Sequence, residues 1–131
     1  MDTNVSQDGI PGGRQGIEAA ELSNAMVLLY KEQFGRGPTK AQTTFATPDL
    51  VICTLEQSMT PAERNLVAMG EHQALRDTRM LFQHASNREF VQTVEAITGR
   101  TVRAFVSGID TDEDVCSEVF YLQPLADRPV V

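Results

Sequence analysis

Val115-Cys116-Ser117-Glu118-Val119-Phe120-Tyr121-Leu122 reads as a β-strand that is apolar on both faces. Successive side chains of a strand point to opposite sides, so Val115, Val119 and Tyr121 share one face while Cys116, Phe120 and Leu122 share the other. An antiparallel sheet with one face in water alternates apolar and polar residues more cleanly. This strand asks for cover on both sides, with helices on one and a partner on the other.

Working outward, Asp110-Thr111-Asp112-Glu113-Asp114 forms a connecting loop to a strand in which Val102, Ala104 and Val106 alternate. Asp110, Asp112 and Asp114 match three ligand positions of a calcium-binding EF-hand loop, but Val115 stands where that loop needs glycine and Tyr121 where it needs a bidentate Glu. A solvated hairpin turn is the expected reading. Thr98-Gly99-Arg100 closes the helix before this hairpin. That helix starts at Thr60-Pro61-Ala62-Glu63, where Thr60 caps, Pro61 fits the first helical position and Glu63 reaches back to the cap. Its apolar stripe is Val67, Ala74, Leu81 and Ala85 early on, and Phe90, Val91, Val94 and Ile97 later. Ala85 and Val94 fall on opposite sides of one helix at about 100° per residue. The helix therefore breaks near Ser86-Asn87 or its halves face different neighbours, and an unbroken span over 61–98 would be about 57 Å long.

Upstream lies the same order of elements. Leu22, Ala25, Met26, Leu29 and Gln33, with Val27, Tyr30 and Phe34, recur at helical spacing. Gly35, Gly37 and Pro38 end that helix. Ala41, Thr43 and Phe45 alternate in a strand over 40–46, Thr47-Pro48-Asp49 turns, and Leu50-Val51-Ile52-Cys53-Thr54-Leu55 returns. The fold class is thus α+β: an αββαββ two-layer sandwich with a four-stranded antiparallel sheet and both helices on one face. A shift of 64 positions places Gly35 on Gly99 and Arg36 on Arg100, which suggests an internal αββ repeat. Residues 1–16, with Gly9, Gly12, Gly13 and Gly16, have the composition of a flexible tail before a single domain over 17–131.

The chain has 131 residues and a net charge of −7, from 18 Asp and Glu against 11 Lys and Arg. That balance opposes nucleic-acid binding, which needs a basic footprint. The longest apolar run, Ala25 through Tyr30, is far short of the about 20 residues of a membrane span. With no apolar leader-like stretch at the amino terminus and two well-separated cysteines, Cys53 and Cys116, the expectation is a cytoplasmic protein with reduced, buried thiols.

Chemistry is sparse. His72 and His84 form no H-E-x-x-H arrangement and read as solvent-facing, so no metal is expected. No nucleophile elbow or phosphate loop is present, and neither a catalytic residue nor a cofactor is expected. The candidate contacts for an anion or partner are the Gly-Arg corners: Gly35, Arg36, Gly37 and Lys40, with Arg100 at the matching place in the second half. The alternative reading of both corners is a helix stop with a base at the negative end of the dipole.

Leu29-Tyr30-Lys31-Glu32, Gly35-Arg36-Gly37-Pro38, Thr60-Pro61-Ala62-Glu63-Arg64 and Thr98-Gly99-Arg100 together resemble the bacterial MpsC family, named for a sodium-translocating, membrane-potential-generating system. Val102, Ala104-Phe105, Ser107, Asp110, Glu118-Val119-Phe120 and Leu122 extend the resemblance, which spans about residues 17–124. The family implies a small accessory protein encoded with membrane subunits tied to cation movement and inorganic-carbon uptake. It supplies no active-site residues to carry over. The expected role is a non-catalytic accessory protein, homodimeric and peripheral at the inner face of the membrane, with a small anion- or ligand-binding sensor domain as the alternative.

Overall fold

The structure, a computed structural model, describes residues 13–125. Helix α1 spans Gly13–Phe34, strands β1 and β2 span Lys40–Thr47 and Leu50–Glu56, and helices α2 and α3 span Pro61–Ala68 and His72–Thr98. Strands β3, Val102–Asp110, and β4, Val115–Leu122, complete the domain. All pairings are antiparallel, and the order across the sheet is β1-β2-β4-β3. The α+β sandwich with a four-stranded antiparallel sheet is as expected. Residues 13–16 belong to α1 rather than to a tail; the rest of the proposed tail lies outside the described residues.

Leu22, Met26, Leu29 and Tyr30 of α1 recur at three and four residues and are all buried. They meet Phe90 and Val94 of α3 and the inner sheet residues Val51, Cys53, Leu55, Cys116, Phe120 and Leu122 in one core. The two faces of β4 divide as the alternation predicts. Cys116, Glu118, Phe120 and Leu122 are buried, and the residues between them are half-exposed.

The second helical stretch departs from expectation. It breaks at Met69-Gly70-Glu71, not near Ser86-Asn87. Gly70 has φ of 79°, a left-handed conformation that costs other residues about 1–2 kcal/mol, and Gly70 N donates to Val67 O. Thr60 and Glu63 form the reciprocal cap that starts α2. From His72 on, α3 is unbroken for 27 residues, about 40 Å. Its early stripe was assigned to the wrong side: Leu81 is 70% exposed, whereas Leu75, Arg79 and Ser86 are buried. The true inner face carries a cation and a serine, so apolar periodicity selects the outer one.

A second correction concerns β3. The register with β4 shifts between Val102 and Ala104, a bulge that reverses the alternation beyond it. Phe105 and Ile109 then pack on the core, while Val106 is 57% exposed on the opposite face. Phe105 stacks on Phe120 with ring centroids 4.5 Å apart, a contact that fixes the shifted register.

The acidic turn is more than a solvated hairpin. Asp110 Oδ1 accepts from the amides of Asp112 and Glu113. The Asp114 carboxylate accepts from the Ser58 and Met59 amides and ties the turn to the loop before α2. His72 is half-buried rather than solvent-facing, hydrogen-bonded through Nδ1 to Thr111 Oγ1 at 2.6 Å, while His84 is exposed. Among the described residues no helix is long and apolar enough to cross a membrane.

Candidate functional site

The inner face of the sheet carries a polar row. Pairing aligns Thr43 with Cys53, Cys53 with Glu118, and Glu118 with Ser107. On one side of it lies the row Phe45, Val51, Phe120 and Phe105; on the other lie Ala41, Leu55, Cys116 and Ile109. Buried polar groups need hydrogen-bond partners to offset their lost hydration. Ser23 of α1 meets Thr43 at 2.8 Å, and the Thr43 hydroxyl donates to Cys53 Sγ. The Tyr30 hydroxyl donates to Glu118 Oε2. Glu118 Oε1 is fully buried, and the Ser107 side chain opposite Glu118 on β3 is a further group that stabilises the carboxylate.

Beside Glu118 the helices and sheet line a partly open pocket of about 230 Å³. Tyr30 and Phe34 of α1 wall it on one side, and Arg79, Ser86 and Phe90 of α3 on another. Ser107, Ile109, Cys116 and Glu118 form its floor. Arg76 and Met80 are exposed residues at its rim.

Arg79 dominates the electrostatics. Its Nε and Nη2 donate to Glu63 Oε2 and Oε1 at 2.6 and 2.8 Å, a bidentate pair, and its guanidinium lies 4.1 Å from the Phe34 ring centroid. Nη2 also donates to Ser58 O. Burial alone would raise the Glu63 carboxyl, but the Arg79 hydrogen bonds, the Thr60 cap and the Arg79 charge hold it below the usual range. Glu118 lacks such a partner. Burial pushes its carboxyl up to about 7 against the opposing pull of Ser107, Tyr30 and the Arg79 charge. The same burial, with Glu118 alongside, raises the Tyr30 phenol well above its ordinary value. Cys116 and Cys53 are both buried and free, their thiols raised chiefly by burial, Cys53 to about 11. Neither thiol is poised as a nucleophile, because reactivity requires the thiolate.

The predicted Gly-Arg corners lie away from this cavity. Arg36 Nη1 donates to the carbonyls of Gln57 and Met59 at 2.6 and 2.8 Å. Arg100 donates to Pro48 O and Gln123 O and pairs with Asp49 at 2.6 Å. Each guanidinium thus reaches the carbonyl of the residue that follows the second strand of its half, Gln57 or Gln123. Gly35 and Gly99 hold positive φ of 78° and 69° at the ends of α1 and α3, and Gly37 sits against Val27, leaving little room for a side chain. Lys40 is exposed where β1 begins, opposite Glu56.

No motif in the sequence marks Tyr30, Glu63, Arg79 and Glu118 as site residues. Glu118 had a signal, being a carboxylate in phase with Cys116, Phe120 and Leu122. Arg79 lies four residues after Leu75 and seven before Ser86, in phase with Phe90, but a charged residue on an inward stripe is discounted by any hydrophobic count.

Fold and site together define a two-layer α+β protein whose helices line a partly open, mainly apolar pocket over a polar row of its sheet. Over residues 14–124 the chain matches the family described as Na+-translocating membrane potential-generating system (MpsC), and it belongs to that family. No curated protein and no solved structure matches it.

Proposed function

We infer that the chain acts as a non-catalytic accessory component of the Na+-translocating membrane system for which its family is named, and that it does so as a homodimer. In this reading it is a peripheral component at the cytoplasmic face of the membrane; a link to inorganic-carbon uptake belongs to the same proposal.

The observation that carries the reading is the outer face of the sheet. Ile52, Val119 and Val106 align across β2, β4 and β3, with Leu50, Tyr121 and Ala104 in the next row. Among the described residues no helix packs on this side, where Val106 is 57% exposed, and such an apolar surface marks a contact site. Its ends differ in charge. Arg103 lies near the Tyr121 ring at one end; at the other Glu56 and Asp110 flank Val115, with Lys40 opposite Glu56, which leaves that end acidic by one charge. A two-fold axis perpendicular to the strands would set each basic end of one copy on the acidic end of the other, the self-complementarity a symmetric dimer requires. The corner reading is less favoured, because an anion there would compete for donors that Arg36 and Arg100 give to carbonyls.

Light scattering at micromolar concentration is expected to give twice the chain mass for the wild type and the single mass for Val119→Lys, with thermal melting of the variant retaining a cooperative transition. When coexpressed with the membrane subunits of the system, the wild-type chain is expected to sediment with the membranes. A monomeric wild type overturns the dimer. Equal recovery in the supernatant with and without those subunits overturns the accessory role.

A further inference from the structure

We propose that the free edge of β3 takes up an extended segment of a partner protein as a fifth strand of the sheet, with a large apolar side chain of that segment in the pocket below α3 and an acidic residue two positions away on Arg76. This goes beyond the accessory role. Because it uses an edge of the sheet and not its outer face, it does not depend on dimerisation.

Three observations carry the inference, the first being the direction of the backbone. Leu122 N donates to Asp49 O on the β2 side, and successive residues of an antiparallel strand turn their amides and carbonyls to alternate sides, so Ser117, Val119 and Tyr121 turn to β3. Their partners there are Gly108, Val106 and Ala104. The amides and carbonyls of Phe105, Ser107 and Ile109 are therefore directed away from β4, where among the described residues no further strand lies. Such edges are ordinarily blocked by charge, proline or a bulge. The other edge has Lys40 and a register shift between Phe45 and Thr47, whereas Ala104 through Ile109 has no charge and no proline, and the bulge of β3 precedes it.

The second observation is the mouth of the pocket. Its exposed lining residues are Arg76 and Met80 of α3 and Gly108 of β3, so it opens along this same edge. Its volume of about 230 Å³ exceeds the on the order of 150 Å³ that accommodates a benzene ring, enough for a leucine or phenylalanine side chain carried on an added strand. Gly108 has no left-handed φ, and a Cβ there would meet nothing within 4 Å; a strand glycine without such a local reason marks the approach of another backbone. The third is charge. Arg76 donates only to the neutral side chains of Gln73 and Thr111, both at 3.4 Å, and pairs with no carboxylate among the described residues. Asp110 and Asp114 of the neighbouring turn accept from backbone amides. An exposed guanidinium at the mouth of an apolar pocket complements a carboxylate on the incoming segment.

The probe is a fluorescein-labelled peptide, Thr-Val-Glu-Val-Leu-Val-Thr, whose glutamate and leucine share one face. Its anisotropy is expected to show saturable binding with a Kd at or below about 0.1 mM. The same peptide with lysine for glutamate should bind at least about tenfold more weakly, and Arg76→Glu should reverse that preference. Methylation of the glutamate and leucine amides, which face β3 in this register, should abolish binding, and methylation of the valine amide between them should not. Ser107→Pro removes an edge amide and should abolish binding with the cooperative thermal transition retained; where it does not fold, the two methylated peptides make the same test. Absence of saturable binding, equal binding by the lysine peptide, or equal binding by both methylated peptides would each overturn the proposal. A light-scattering mass that halves in Ser107→Pro but not in Val119→Lys would assign the edge to a second copy of the chain and overturn it as well.

Discussion

Replacing Arg79 with leucine is expected to lower the unfolding free energy by about 3–5 kcal/mol, read from the midpoint of urea denaturation. Arg79 is 7% exposed and Glu63 12% by side chain, so removal of the cation strands a carboxylate that water cannot readily reach. The loss is larger than that of a surface ion pair, typically about 0–1 kcal/mol. Two further contacts disappear with it: the hydrogen bond to Ser58 O and the packing of the guanidinium on Phe34. Glu63 also closes the cap of α2 through Thr60, so the damage spreads to the start of that helix. Combining Arg79→Leu with Glu63→Gln should recover a large part of the loss, because glutamine keeps the cap and removes the stranded charge. Lysine at position 79 should not rescue, since it lacks the planar fork that serves both carboxylate oxygens. A cost under about 1 kcal/mol for the single leucine variant would contradict the buried-pair assignment.

The second large effect is a pH dependence carried by Glu118. Its carboxyl is raised from 4.5 unfolded to about 7 folded, so the folded state binds the proton more tightly. The stability this contributes is fully present below the unfolded value and is lost as pH rises through the folded one. The difference amounts to about 3 kcal/mol at 1.36 kcal/mol per pH unit. The groups facing it are Tyr30 from α1, Arg79 from α3, and Cys53, Ser107 and Cys116 from the sheet. Glu63 acts in the opposite sense, its lowered carboxyl contributing stability that is lost as pH falls. Comparison with Glu118→Gln separates the two, because Glu63 is common to both proteins. The stability of the wild type minus that of the variant should fall by about 3 kcal/mol between pH 4.5 and 8. Parallel curves across that range would show that Glu118 ionises as freely when folded as when unfolded.

Much of the fold was legible in the sequence where local chemistry is unambiguous. Thr60-Pro61-Ala62-Glu63 places a helix start, and the alternation in β4 separates the two faces of the sheet. Legibility failed where tertiary contacts override a local pattern. Leu81 and Ala85 make a plausible apolar stripe, yet α3 turns Arg79 and Ser86 inward, because Glu63 and the Phe82 carbonyl satisfy them there. The bulge at Arg103 leaves no mark in the sequence, and without it Val106 is counted into the core and Phe105 out of it. Gly70 marks the true break, but the phase change of the apolar stripe between Ala85 and Val94 points to Ser86-Asn87 instead. The candidate site was less legible than the fold. Its residues come from α1, α2, α3 and the sheet, so no spacing along the chain announces them, and the Gly-Arg corners attracted attention because their motif is local.

Carbon-detected NMR of the Glu118 carboxyl, titrated in the intact wild-type protein, tests the buried site most directly. A midpoint near 7 is the result that burial of the carboxyl predicts. A midpoint near the unshifted 4.5 would place that carboxylate in contact with water and contradict its burial between Tyr30, Arg79 and the sheet.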